Sequence, residues 1–486
     1  MSKGRQSLRA GEWSDTLGGD WYEIRNPADG REVVAEVPAM DGRDVARALE
    51  AATVGARRWR ATSIVERGEV LRRAAALVRE RREEIARDVT LEMGKLINEA
   101  RGETAKAGDF LEYYAGFGRR PLGQVLPDTR PGAEARTIRE PRGVVVAITP
   151  WNDPVITPAR KLSPALISGN AVVLKPAPES PLSALHLARA LEDAGLPAGV
   201  LNLVTGPGDE VARQLVKSDG FHTLSFTGST EVGLGLQKEL AGRGIAVQTE
   251  MGGKNAAVVM ADANPKVVVE ALLAGAFVQA GQRCTATSRV LVESAKYQEI
   301  VERFASGSRR LRVGPGLNEQ TEMGPLVAES RLEAVLASLD QARSGGAELI
   351  TGGERLREGG LTNGWFMAPT VVGDCEPGSS LWQEELFAPV VAFAPADSLE
   401  SAIEVVNSTR YGLAASIFTK DLEAAHRFTE GVDVGCVAVN LPTAGWDVHM
   451  PFGGFKDSGS AFKEQGENAL DFYCRVKTIA TRSRDI

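Results

Sequence analysis

Gly143-Val144-Val145-Val146-Ala147-Ile148 is the stretch on which the fold turns. A short, wholly apolar, β-branched run between a glycine and Thr149-Pro150 reads as a strand buried on both faces. Ala171-Val172-Val173-Leu174, Val200-Leu201-Asn202-Leu203-Val204 and Thr223-Leu224-Ser225-Phe226 repeat the pattern, with helical stretches between them. One of these helices is expected to take Ser180 as its N-cap and Pro181 as its first residue. It keeps Leu185, Ala188 and Leu191 on one face and stops at Gly195. Alternating strands and helices make βαβ units, and so a parallel sheet covered by helices on both faces. Such a sheet binds ligands beyond the carboxyl ends of its strands. A second α/β series starts at Ala256-Ala257-Val258-Val259-Met260 and runs to about Phe455.

Outward from this core, the first ~120 residues read as mostly helical. Ser63-Ile64-Val65-Glu66 has capping-box spacing, and Leu71, Ala74, Leu77 and Val78 then recur at helical intervals. Arg119 to Arg136 is rich in Pro, Gly and Arg, and Leu470 to Thr481 alternates like a strand. Both fit arms that pair with another subunit; a surface loop and an edge strand fit them equally well.

At 486 residues the chain has room for two to four domains and a sizeable core. With 43% apolar and 25% charged residues it reads as folded rather than disordered. The net charge of −8 and the lack of a dense basic stripe argue against a nucleic-acid partner. Arg79-Glu80-Arg81-Arg82 mixes signs and reads as a solvated helix face. The four cysteines, Cys284, Cys375, Cys436 and Cys474, have neither zinc-site nor redox spacing. No metal site is expected, and the scattered thiols suggest a reducing, cytoplasmic setting. Met1 to Trp13 is polar, unlike a signal peptide, and no run of about 18 apolar residues suggests a membrane span.

Four short stretches carry chemistry. Gly281-Gln282-Arg283-Cys284-Thr285 sets a cysteine among small polar residues, where a thiolate can attack a carbonyl carbon; a buried core cysteine is the plainer alternative. Thr249-Glu250-Met251-Gly252-Gly253 places a carboxylate beside a flexible glycine pair, as a general base for water requires, or as an ordinary loop. Asn152, after the strand at 143–148, has an amide that can serve a developing oxyanion or simply a turn. Phe226-Thr227-Gly228-Ser229 joins a strand to a helix, where backbone N–H groups favour a pyrophosphate; its spacing is not the GxGxxG fingerprint.

Taken together with Val173-Leu174-Lys175-Pro176, Glu384-Glu385-Leu386-Phe387-Ala388-Pro389 and Pro451-Phe452-Gly453-Gly454-Phe455-Lys456-Asp457-Ser458-Gly459, these stretches resemble, in order and over nearly the whole chain, the non-phosphorylating aldehyde dehydrogenase superfamily. The resemblance implies an α/β aldehyde dehydrogenase fold. Residues 1–118 and 142–252 would form a parallel-sheet dinucleotide-binding domain, 253–455 an α/β catalytic domain, and 119–141 with 469–486 a small β arm for oligomerisation. It implies Cys284 as nucleophile, Glu250 as the base that activates water, Asn152 with the Cys284 N–H as oxyanion hole, and Lys161 as a proton-relay lysine. Lys175 would bind the adenosine ribose, Ser229 the pyrophosphate and Glu385 the nicotinamide ribose. Phe387 would border the nicotinamide ring, and Trp151, Gly228 and Gly252 would complete the cofactor site. The cofactor would be NAD or NADP; Pro178 stands where NAD-preferring members often carry glutamate, so the choice stays open. A homodimer or homotetramer would be expected.

Two positions depart from the family: Ala388 replaces the usual glycine, and Asp153 replaces the usual aromatic residue beside the substrate tunnel. Cys284 to Arg289, Asn440 to Gly445 with Asp447 and His449, and Glu464-Gln465-Gly466 resemble the branch that oxidises α-ketoglutaric semialdehyde (2,5-dioxopentanoate). Arg160, Arg283 and His449 are the residues expected to meet that substrate, since a guanidinium holds a carboxylate in bidentate fashion. A general aliphatic or aromatic aldehyde dehydrogenase is the next reading; a CoA-acylating enzyme and a catalytically silent relative stand further off.

Overall fold

The structure is a computed structural model that describes residues 6–482 apart from 10, 121 and 209. The outermost residues of the expected domains, 1–5 and 483–486, lie outside the described residues.

Val144–Ile148 is buried at all five positions, and it is the middle strand of a five-stranded sheet. The order is 246–250, 223–227, 144–148, 171–175, 201–203, and every pairing is parallel. The chain moves from 144–148 outward in one direction, then returns to its other side. The order therefore reverses at 144–148 and 223–227, and a crevice opens at their carboxyl ends. Asn152 follows the first of these strands, Gly228 follows the second, and Glu250 ends the neighbouring strand.

Only Met251 to Lys254 separate that sheet from strand Asn255–Val259 of a second, seven-stranded sheet. Here the site lies at the other end of the strands. Gly252 precedes 255–259, and Cys284 precedes strand Thr287–Glu293, which pairs with it. Carboxyl ends of one sheet thus face amino ends of the other, and this apposition creates the seam that holds the chemistry.

The helices before residue 120 form as expected, with reciprocal capping bonds between Ser63 and Glu66. Leu71, Ala74 and Val78 are buried in the core between helix Ile64–Glu80 and its helical neighbours Ile97–Ala115 and Leu182–Asp193. The first ~120 residues are mostly helical as expected, but two antiparallel ribbons that the expectation did not name, Ser7–Arg9 with Glu12–Ser14 and Trp21–Asn26 with Asp29–Pro38, precede the helices. The alternation of Ala35 in, Glu36 out and Val37 in was the signal for the longer ribbon.

One correction concerns the helix Leu182–Asp193. Ser180 does not cap it; the buried Glu92 carboxylate accepts from the N–H groups of Leu182 (2.8 Å) and Ser183 (3.1 Å) instead. Ser180 Oγ donates to the Trp151 carbonyl at 3.1 Å, tying this helix to the loop that carries Asn152. Cys474–Arg482 pairs antiparallel with Ala133–Pro141, which also pairs with Val125–Leu126, giving a separate three-stranded sheet. Among the described residues, no helix is long and apolar enough to cross a membrane.

Candidate active site

Two cavities meet at Cys284. The inner one, of about 290 Å³, is walled by Trp151, Asn152, Glu250 and Gly252. The outer one, of about 340 Å³, is walled by Lys106, Phe110, Arg283 and Trp446. Asp153, Arg160, Cys284 and Phe452 line both, so the thiol sits at the neck between them.

The loop that delivers Cys284 is strained. Gln279, Ala280 and Gly281 have φ of 56°, 53° and 68°, a left-handed stretch that two of the three residues adopt against their own preference. The loop is pinned at and after Cys284 as well: Asn255 Nδ2 donates to the carbonyls of Cys284 (2.8 Å) and Ala286 (2.9 Å). Burial first, and the Asp153 charge second, push the Cys284 thiol up to about 12. At neutral pH it is a protonated thiol that needs a base.

Glu250 lines the inner cavity together with Cys284. Its side chain is buried, Oε1 accepts from Gln248 Nε2 at 3.3 Å, and Oε2 has no partner among the described residues. Burial, then the nearby negative Glu464, raise its carboxyl well above the ordinary range. Such a group accepts a proton more readily than an exposed carboxylate. Glu464 is itself held below the usual range: burial opposes its charge, but the Lys161 ammonium and the Arg160 guanidinium outweigh burial. Lys161 Nζ donates to Glu464 Oε1 at 2.5 Å and to Ser225 Oγ at 2.8 Å. Burial lowers the lysine's affinity for its proton. Arg160 donates to Glu464 at 2.9 Å, between the rings of Phe110 and Phe452 at 5.4 and 5.1 Å.

The inner cavity suits a dinucleotide. Helix Thr230–Leu240 opens onto it with no side-chain cap, Gly228, Ser229 and Thr230 are in its wall, and Thr230 Oγ1 is buried without a partner among the described residues. Uncapped N–H groups at a helix start attract a phosphate. Glu385 Oε1 accepts from the Gly253 N–H at 2.9 Å, and burial raises its carboxyl to about 7. Trp151 and Phe387 meet edge to face at 5.4 Å, and Phe387 is held at φ 56°.

Not every expected residue is brought together. Lys175 is buried at the end of its strand, outside the wall of the inner cavity, and its Nζ donates to the Pro176 carbonyl at 3.2 Å. His449 is exposed and lines neither cavity; its ring nitrogen lies 3.6 Å from Asp447. Its assignment to the substrate is withdrawn, since Trp446 and Gln465, not His449, occupy that wall.

A family model described as the aldehyde dehydrogenase family matches residues 13–479. The chain belongs to the aldehyde dehydrogenase family. It is 41% identical to the α-ketoglutaric semialdehyde dehydrogenase of Bacillus subtilis over 469 residues, 96% of each chain. It is 37% identical to the 2,5-dioxopentanoate dehydrogenase of Saccharolobus solfataricus over 97% of this chain and 98% of the relative. The crystal structure of betaine aldehyde dehydrogenase from Staphylococcus aureus in complex with NAD+ superposes with a TM-score of 0.96 at 31% identity, covering 99% and 96% of the two chains.

As an aldehyde dehydrogenase, the chain is an oxidoreductase acting on aldehydes. In this aldehyde dehydrogenase, sequence reading missed the part played by Glu464 beside Lys161 and Arg160, which no local pattern announces. It also missed the pairing of Asp153 with Lys95 (3.0 Å) and Gln279 (2.9 Å). The signal for that cluster was Lys95, Glu99 and Glu103, spaced four apart, with Lys95 in the link just before helix Ile97–Ala115 and the two glutamates on it.

Proposed function

We propose that this aldehyde dehydrogenase oxidises the semialdehyde of a 2-oxo acid, such as α-ketoglutaric semialdehyde, to the dicarboxylate through a thioester on Cys284, using NAD or NADP. The observation that carries the substrate class is Arg283. It lines the outer cavity next to the nucleophile and makes no ion pair among the described residues, whereas Arg160 is neutralised by Glu464 and Lys106 pairs with Asp447. A half-buried guanidinium left available in that cavity favours a carboxylate at the far end of the substrate. The names of the relatives support the same class.

In this reading Glu250 takes the Cys284 proton, and the thiolate sulfur bonds to the aldehyde carbon. The Asn152 amide and the Cys284 N–H hold the resulting oxyanion. When bound, the dinucleotide supplies the acceptor for the electron pair and hydrogen that leave that carbon. Once it has passed the Cys284 proton on, Glu250 deprotonates a water whose oxygen bonds to the thioester carbon. The carbon–sulfur bond breaks, the acid leaves, and the thiol regains its proton. Lys161 and Glu464 offer the next stations for the proton on Glu250. Ser229 and the start of the following helix would hold the pyrophosphate, and Glu385 and Phe387 the nicotinamide end. Lys175 would reach the adenosine ribose from outside the cavity wall. The three-stranded sheet at 125–141 and 474–482 would serve dimer or tetramer formation.

The test is a kcat/KM panel of α-ketoglutaric semialdehyde, succinic semialdehyde, benzaldehyde and propanal with each cofactor. Arg283→Gln should cost about 10–100-fold on the two acids, the worth of a charge-assisted hydrogen bond, and little on propanal. An equal loss on all four would remove Arg283 from substrate binding.

A further inference from the structure

We propose that Asp153 is a positioning residue that, through Gln279, clamps the two halves of the oxyanion site together. The inference rests on the reading above, in which Asn152 and the Cys284 N–H share the oxyanion. Those two donors come from different sheets: Asn152 follows strand Val144–Ile148, and Cys284 precedes strand Thr287–Glu293. Nothing in the main chain joins them locally.

Asp153 is next to Asn152 in the chain, and its Oδ1 accepts from Gln279 Nε2 at 2.9 Å. Gln279 opens the left-handed stretch that leads to the nucleophile, and such a conformation persists only where its surroundings impose it. Two carboxylates from outside the nucleophile loop impose it here. Glu99 Oε1 accepts from the Gln279 backbone N–H at 3.0 Å, and Asp153 takes its side-chain amide.

Asp153 is anchored in turn. Lys95 Nζ, fully enclosed, donates to it at 3.0 Å and also pairs with Glu103. Glu103 Oε1 accepts from the N–H groups of Val155 (2.8 Å) and Ile156 (3.1 Å), two and three residues after Asp153. The carboxylate at 153 is therefore fixed from its own loop and grips the opposite one. Displacing it moves the amide at 152 and the turn at 279 together. Because oxyanion donors act through tight convergence, a shift of about 1 Å costs on the order of 100-fold in rate. An aromatic side chain at 153 offers no such grip.

The experiment compares Gln279→Leu, Asp153→Leu and Asp153→Asn with the wild type. Three quantities are read: the rate constant of the first burst of reduced cofactor, KM for the semialdehyde, and the rate of Cys284 alkylation by iodoacetamide. Gln279→Leu and Asp153→Leu should slow the burst about 10–100-fold, with KM little changed. Asp153→Asn keeps an acceptor for Gln279 and should restore the burst to within about threefold of wild type. Alkylation forms no oxyanion, so Gln279→Leu should be alkylated at the wild-type rate. A wild-type burst in Gln279→Leu, or a loss seen only in KM, overturns the clamp; the latter makes Asp153 a substrate contact. Gln279→Leu leaves the Lys95–Asp153 pair intact, so the result stands even where Asp153→Leu fails to fold. A wild type that reduces neither cofactor with any aldehyde refutes the parent reading and not the clamp.

Discussion

Glu250 lies directly against Gly453: a Cβ at 453 would sit 2.5 Å from Glu250 Oε1, and the glycine has φ of +150°. The glycine in the Pro451-Phe452-Gly453-Gly454 motif thus leaves room for the Glu250 carboxylate. Gly453→Ala should displace the carboxylate and cut steady turnover by about 100-fold or more, the contribution of a general base. Dinucleotide affinity, measured by fluorescence titration, should stay as in the wild type. Unchanged turnover would mean that the space is not needed.

Gly252 has the matching relation to Glu385, whose Oε2 would lie 2.1 Å from a Cβ at 252. Gly252→Ala should therefore push Glu385 off the Gly253 N–H and weaken dinucleotide binding about tenfold, the value of one charge-assisted hydrogen bond. Equal affinity in variant and wild type would contradict the assignment of Glu385 to the cofactor.

The thiol gives a pH prediction. Burial first, and Asp153 second, raise the Cys284 pKa to about 12. A raised thiol pKa means less thiolate at a given pH, so the rate of alkylation by iodoacetamide in the free enzyme should still be climbing at pH 10. Removing a negative neighbour stabilises the thiolate, so Asp153→Asn should shift that rise to lower pH. A shift to higher pH, or a plateau near pH 8.5 in the wild type, would contradict this electrostatic picture.

Lys95 carries the stability prediction. Its ammonium is fully enclosed between Glu103 and Asp153. Lys95→Met leaves two carboxylates without their cation and should cost about 3–5 kcal/mol in chemical denaturation. A loss below about 1 kcal/mol, as for an exposed pair, would show that the cluster is solvated.

How much could be read beforehand follows from what each residue depends on. Val144–Ile148 was legible because a wholly buried parallel strand needs nothing but apolar side chains. Cys284, Glu250 and Asn152 could be singled out as candidates because each stands in a short distinctive stretch, and all three line the inner cavity. His449 misled because nearness to a matching stretch does not say which way a loop turns. Glu464 was invisible as a functional group: its burial is made tolerable by Arg160 and Lys161, some 300 positions away. Ser180 looked like a cap but serves the Trp151 carbonyl, because Glu92, distant in sequence, already satisfies the helix start.

The covalent intermediate can be observed directly. Glu250→Gln, mixed with α-ketoglutaric semialdehyde and NAD or NADP, should release one burst of reduced cofactor and then stall. Mass spectrometry of the quenched protein should find the acyl group on the peptide that contains Cys284. Steady turnover without an adduct, or an adduct on Cys375, Cys436 or Cys474, would contradict a Cys284 thioester hydrolysed with the help of Glu250.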